Sequence, residues 1–140
     1  LKTSFGSNPA SFALFKNELY FAASKGDLNG DTRALWKHNQ ALNETEFVVA
    51  VNDSEAGPYE LTATEELLFF GDYHPSYGLE LWATDGTEEG TYLVRDINPT
   101  GSSTPQRITA IGDLIFFTAS DVELVLSKNF TQQRDLSPIV

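Results

Sequence analysis

The sequence predicts an all-β protein built from three successive four-stranded antiparallel units, and three observations predict it. An aromatic triplet recurs as Leu19-Tyr20-Phe21, Leu68-Phe69-Phe70 and Ile115-Phe116-Phe117. A proline precedes each triplet at a fixed offset: Pro9, Pro58 and Pro105. No segment sustains a 3.6-residue apolar period, so helix is expected to be scarce.

The elements follow in the same order in each unit. Between proline and triplet lies a short apolar stretch: Phe12-Ala13-Leu14-Phe15, Leu61-Thr62-Ala63 and Ile108-Thr109-Ala110-Ile111. Polar turns close these first strands at Lys16-Asn17, Glu65-Glu66 and Gly112-Asp113, and the triplets form the second strands. Ala34-Leu35-Trp36 matches Glu80-Leu81-Trp82 as a third strand, with Glu123-Leu124-Val125 a weaker copy. The closing segment Arg95-Asp96-Ile97-Asn98-Pro99 returns as Arg134-Asp135-Leu136-Ser137-Pro138, and more loosely as Ala50-Val51-Asn52. The repeats therefore divide a single domain, 1–140, into units of about 1–51, 52–97 and 98–140. In the second unit, strands are expected at 60–64, 67–71, 79–84 and 91–97.

Four strands in about 46 residues is the pitch of a β-propeller blade. Adjacent aromatics in a strand point to opposite faces, so both faces of a unit are apolar and neighbours are expected on both sides. Three blades are fewer than a closed propeller uses. The remaining contacts are expected from further repeats of a longer parent chain or from self-association. The start at Leu1, in a chain without methionine, suggests a processed product or an excised piece.

Composition narrows the function classes. The 140 residues are 41% hydrophobic and carry a formal charge of −11, from twenty acidic and nine basic residues. Such a surface repels phosphate backbones and anionic lipid, so no nucleic-acid partner is expected. No apolar run has the length of a membrane span, so no membrane insertion is expected. The absence of cysteine excludes disulfides, thiolate metal sites and a cysteine nucleophile.

The second unit carries a distinctive motif: Glu80-Leu81-Trp82-Ala83-Thr84-Asp85-Gly86-Thr87, then Gly90-Thr91, Leu93-Val94 and Asp96-Ile97-Asn98-Pro99. Over about 79–119, with Ser103, Pro105, Thr109-Ala110 and Phe116-Phe117, this resembles the ELWxxDGT repeat family. The first unit keeps only Leu35-Trp36, with Asn39-Gln40-Ala41 in place of Asp-Gly-Thr, and the third lacks the tryptophan. The resemblance implies a secreted or cell-surface, propeller-like repeat protein with no common catalytic activity. Physically, Asp85-Gly86 reads as a tight turn, and Thr87 and Thr91 as its cross-loop hydrogen-bonding residues. Trp82 is expected to wedge between blades with its indole N–H on a carbonyl; the alternative is a ligand platform.

Few residues suggest chemistry. Asp27, Asn29 and Asp31 alternate oxygen side chains as a calcium loop does, although the glycine falls early and His38 occupies the closing position. Asn29-Gly30 equally reads as a plain hairpin turn, so calcium is a possible cofactor and none is required. Tyr73 and Tyr77, in the matching loop of the second unit, suit either sugar stacking or ordinary loop packing. Sequons at Asn43, Asn52 and Asn129 are candidate glycosylation sites in expected loops or strand ends. Glu65-Glu66 and Glu88-Glu89 read as solvated turn charge, and His38 and His74 fit no catalytic motif. The expectation is a non-enzymatic extracellular structural module: a building block of a surface layer, appendage, filament or adhesin. The alternative is a propeller-type lectin completed by oligomerisation, with glycans as partners.

Overall fold

The computed structural model describes residues 7–26, 32–52 and 55–121, and within them the protein is all-β with no helix. The first sheet contains β1 (Ala10–Phe15), β2 (Glu18–Ser24), β3 (Arg33–Asn39) and β4 (Glu44–Val49). The second contains β5 (Tyr59–Ala63), β6 (Leu68–His74), β7 (Gly78–Thr84) and β8 (Thr91–Arg95). The third contains β9 (Gln106–Ile111) and β10 (Leu114–Thr118). Each sheet is an antiparallel meander with strands in chain order, and none closes into a barrel.

The first two sheets have the expected four strands. The third has two among the described residues, and the remainder of its unit, including Glu123-Leu124-Val125 and Arg134–Pro138, lies outside them. β8 stops at Arg95 rather than 97, because the next backbone amides turn to a side chain, Glu80. β6 runs on to His74, paired with Gly78.

The triplets set the polarity of the stack. Leu68 and Phe70 enter an apolar cluster with Phe15, Tyr20, Leu35 and Val48 of the first sheet, joined by Leu61 and Trp82. Phe69 points the other way, into a cluster with Leu81, Ala83, Ile108, Ile115 and Phe117. The middle residue of a triplet thus faces the following sheet, and its two neighbours face the preceding one. We call these the front and back faces. The second sheet is covered on both, as the alternation of apolar residues demands.

Cross-strand register extends the rule to the whole first sheet. Its back face presents Phe12 opposite Phe21, Leu14 opposite Leu19, and Trp36 opposite both Phe21 and Phe47. The same pairing recurs in the second sheet, where Phe70 lies opposite Trp82 and Trp82 opposite Leu93. There the face is buried against the first sheet; in the first sheet Phe12 is 57% and Leu14 69% exposed.

The first strands carry a second repeating device. Each begins with a β-bulge, and in each the second residue after the proline has a positive φ: Ser11 at 52°, Glu60 at 52° and Arg107 at 56°. None is glycine, so each costs on the order of 1–2 kcal/mol in backbone energy. The first two offset that cost by reaching into the next sheet. Ser11 Oγ accepts the Leu61 amide N–H at 3.0 Å, and Glu60 Oε2 accepts the Ile108 amide N–H at 2.9 Å. The residue served is in both cases the one following the next bulge position.

Candidate functional site

The motif residues Glu80–Thr87 belong to the second sheet and the turn that follows β7, and the Asp85–Thr91 turn organises itself first. Asp85 Oδ1 accepts the Thr87 amide at 2.9 Å and the Thr87 hydroxyl at 2.7 Å. The Thr87 hydroxyl in turn accepts from the Gly90 amide, and Thr84 Oγ1 accepts from the Gly86 amide. Thr91 Oγ1 lies 2.7 Å from the Thr87 carbonyl and 2.8 Å from Thr84 Oγ1. The two Thr87 hydrogen bonds hold the Asp85 carboxyl below its ordinary pKa. Gly86, at φ 103°, lets the turn approach the first sheet: a Cβ there would meet the Tyr20 hydroxyl at 2.6 Å. Lys16 Nζ adds a bond to the Asp85 carbonyl from the β1–β2 turn. The turn is a brace between sheets.

Glu80 is fully buried, and its carboxylate gathers four donors. It accepts the amides of Ile97 at 3.1 Å, Asn98 at 3.4 Å and Ser103 at 2.9 Å, and the Ser103 hydroxyl at 2.6 Å. The Ser103 and Thr104 amides also donate to the Leu79 carbonyl, at 3.0 Å each. Glu80 thereby fixes the loop that carries the chain to the third sheet. Burial raises its pKa, and the four donors counteract that. The sequence placed Glu80 in the motif without this role. The signal was the company it keeps, since Ile97, Asn98 and Ser103 belong to the same recurring pattern.

Leu81 and Trp82 divide between the two apolar clusters, Leu81 on the front and Trp82 on the back. Trp82 does lie between two sheets, but its indole nitrogen is buried without a hydrogen-bond partner, contrary to the expected carbonyl bond. Its neighbours in the back-face cluster are mainly aliphatic and aromatic side chains. Trp36, the half-buried counterpart in the first sheet, makes that bond, donating to the Ala23 carbonyl at 3.3 Å. Its ring meets Phe47 edge-on at 5.6 Å, while Leu35 beside it is buried in the inter-sheet core.

Other candidate residues are scattered. Tyr77 stacks on His74 with centroids 4.9 Å apart, and His74 lies 6.0 Å from the Trp82 ring. The Ser76 amide donates to His74 Nδ1, which fixes that nitrogen as an acceptor. Tyr77 is exposed, Tyr73 half-buried. Asn43 sits exposed in the β3–β4 turn. Asn52 is half-buried and its side-chain amide donates to the Tyr73 carbonyl, so the nitrogen a glycan would take is already engaged. Asn129, and the oxygen-bearing set Asp27, Asn29 and Asp31, lie outside the described residues.

Sequence reasoning missed a buried acid. Asp72 is 1% exposed, and desolvation pushes its carboxyl up to about 8 despite the Tyr73 amide donating to Oδ1. It sits directly across from Glu80 in the β6–β7 register, and among the described residues no lysine or arginine pairs with either. Nearby Tyr59 covers Gly71, and burial raises its phenol as well. Among the described residues no group of three or more His, Cys, Asp or Glu side chains is placed to hold a metal ion. An open groove lined by Lys16, Asn17, Glu18, Asn39, Gln40 and Ala41 lies at the hairpin end of the first sheet. No family model matches the chain, nor does any curated protein or solved structure.

Proposed function

We propose that this chain is a non-enzymatic structural module of the ELWxxDGT repeat type, whose sheets act as propeller-like blades in an assembly outside the cell. One observation carries the reading. Glu80 clasps the loop that leads to the third sheet, the Asp85, Thr87 and Thr91 side chains shape a turn that Lys16 ties to the first sheet, and the apolar residues of the motif fill the gaps between sheets. A residue set committed to joining sheets supports a building block rather than a reaction centre. An exposed aromatic face at one end of the stack supports association as its use. Light scattering and electron microscopy of the purified chain test the reading. Concentration-dependent assembly is expected, and a monodisperse 15.4 kDa species at every concentration overturns it.

A second reading, a sugar-binding propeller, is favoured by the Tyr77–His74 stack, which leaves Tyr77 exposed. Aromatic rings held this way suit the apolar face of a sugar. Glycan-array binding lost in Tyr77→Ala is the expected sign, and array silence removes the reading.

A further inference from the structure

The uncovered back face of the first sheet repeats the surface that, one sheet along, is buried. Phe12, Leu14, Leu19, Phe21, Trp36 and Phe47 occupy the register positions that Leu61, Ala63, Leu68, Phe70, Trp82 and Leu93 occupy in the second sheet. Those six pack against a front face, that of the first sheet. The third sheet repeats the polarity, with Ile115 and Phe117 receiving the front face of the second. Among the described residues, both apolar contacts between sheets are therefore front on back.

The described residues leave one face of each kind open. The back of the first sheet is one. The front of the third sheet is the other, where Phe116 pairs with Thr109 and Leu114 with Ile111, and Ile111 is 65% exposed. We propose that these two faces dock head to tail between copies of this chain, continuing the stack already present within it. This inference rests on the assembly reading above and names its surface. Such a heterologous contact generates a ring where its rotation closes and a filament where it does not.

One residue sets the strength of the joint. Within the chain, Ser11 and Glu60 each supply an acceptor to the amide following the next bulge. At the third bulge stands Arg107, which offers donors only. The amide of Phe12 in the next copy thus meets no acceptor there, and the copy-to-copy contact loses that bond, keeping apolar burial and a hydroxyl from Thr109, which stands where Thr62 donates to the Ile108 carbonyl within the chain. With a formal charge of −11 on every copy, association is expected to be weak and to strengthen with salt.

Sedimentation velocity on the full chain tests the proposal with Leu14→Lys, Ile111→Lys and Arg107→Gln. Both lysine positions are largely exposed, so the fold is expected to survive, which circular dichroism checks. Each lysine also lessens the negative charge, so lost association cannot be assigned to repulsion. Each lysine variant is expected to weaken self-association at least about tenfold. Mixed together, they should form a one-to-one complex that grows no further, because each retains the face the other lacks. Arg107→Gln restores an acceptor and is expected to tighten association several-fold. Assembly that ignores all three variants overturns the docking mode while leaving the assembly reading intact. A wild-type chain that never associates overturns both. Cellohexaose binding that shifts Trp36 fluorescence in a chain that never associates would assign the back face to a glycan instead.

Discussion

The Glu60 carboxylate accepts the Ile108 amide across the gap between the second and third sheets, at 2.9 Å. Ser11 and Leu61 repeat the bond one sheet earlier, so it is a property of the bulge and not of one side chain. Glu60→Ala leaves the Ile108 amide, in a buried residue, unpaired and is expected to cost about 1–2 kcal/mol in urea denaturation. Glu60→Gln keeps an acceptor and is expected to cost well under half of that.

Glu80→Gln tests the loop clasp. An amide offers one acceptor oxygen where the carboxylate offers two, and turns its own N–H groups either toward the Ile97 amide and Ser103 hydroxyl or toward the amides of Asn98 and Ser103. A loss of about 2–4 kcal/mol is expected. Hydrogen exchange should accelerate at Ile97, Asn98 and Ser103 before it changes in β6.

Asp72 makes stability depend on pH with a known sign. Its pKa is raised from 3.8 when unfolded to about 8 when folded, so the folded state holds a proton the unfolded chain has lost. Its contribution is full below the unfolded value and disappears as pH rises through about 8. The slope per buried group is at most about 1.4 kcal/mol per pH unit. Glu80, also raised, acts in the same direction. Denaturation midpoints at intervals between pH 4 and 9 should fall in the wild type and fall less steeply in Asp72→Asn.

Gly71→Ala probes a close approach in the second sheet. A Cβ at that position would lie 2.2 Å from Tyr59 Cζ and 2.5 Å from its hydroxyl oxygen. The ring must leave its place over β6, and a loss of about 2–4 kcal/mol is expected by thermal melting. Tyr59→Ala in the same chain should make Gly71→Ala nearly neutral, because the clash then has no partner.

Much of the architecture was legible from the aromatic triplets, since strand alternation alone sends Phe69 and Phe70 to different neighbours. The Asp85-Gly86 turn was legible for the same kind of reason, its residues being chosen for local backbone geometry. The bulges were not. Ser11, Glu60 and Arg107 share a backbone conformation but no side-chain type, so nothing in their identities marks a positive φ. The indole bond falls to Trp36 rather than Trp82, and its acceptor, the Ala23 carbonyl on the neighbouring strand of the same sheet, is not marked by any residue type. Asp72 was not legible, because an aspartate in a strand reads as a solvated charge until the packing around it is known.

Within the described residues, only the second sheet is shielded on both sides, and this sets the order in which the molecule should come apart. An outer sheet loses one interface when it opens, whereas the middle one must break two. Amide exchange should therefore be slowest in β6 and β7 and faster in β1, β4, β9 and β10. Refolding would run the other way, starting from a locally connected central meander and adding a layer to either side, since each strand pairs with its sequence neighbour.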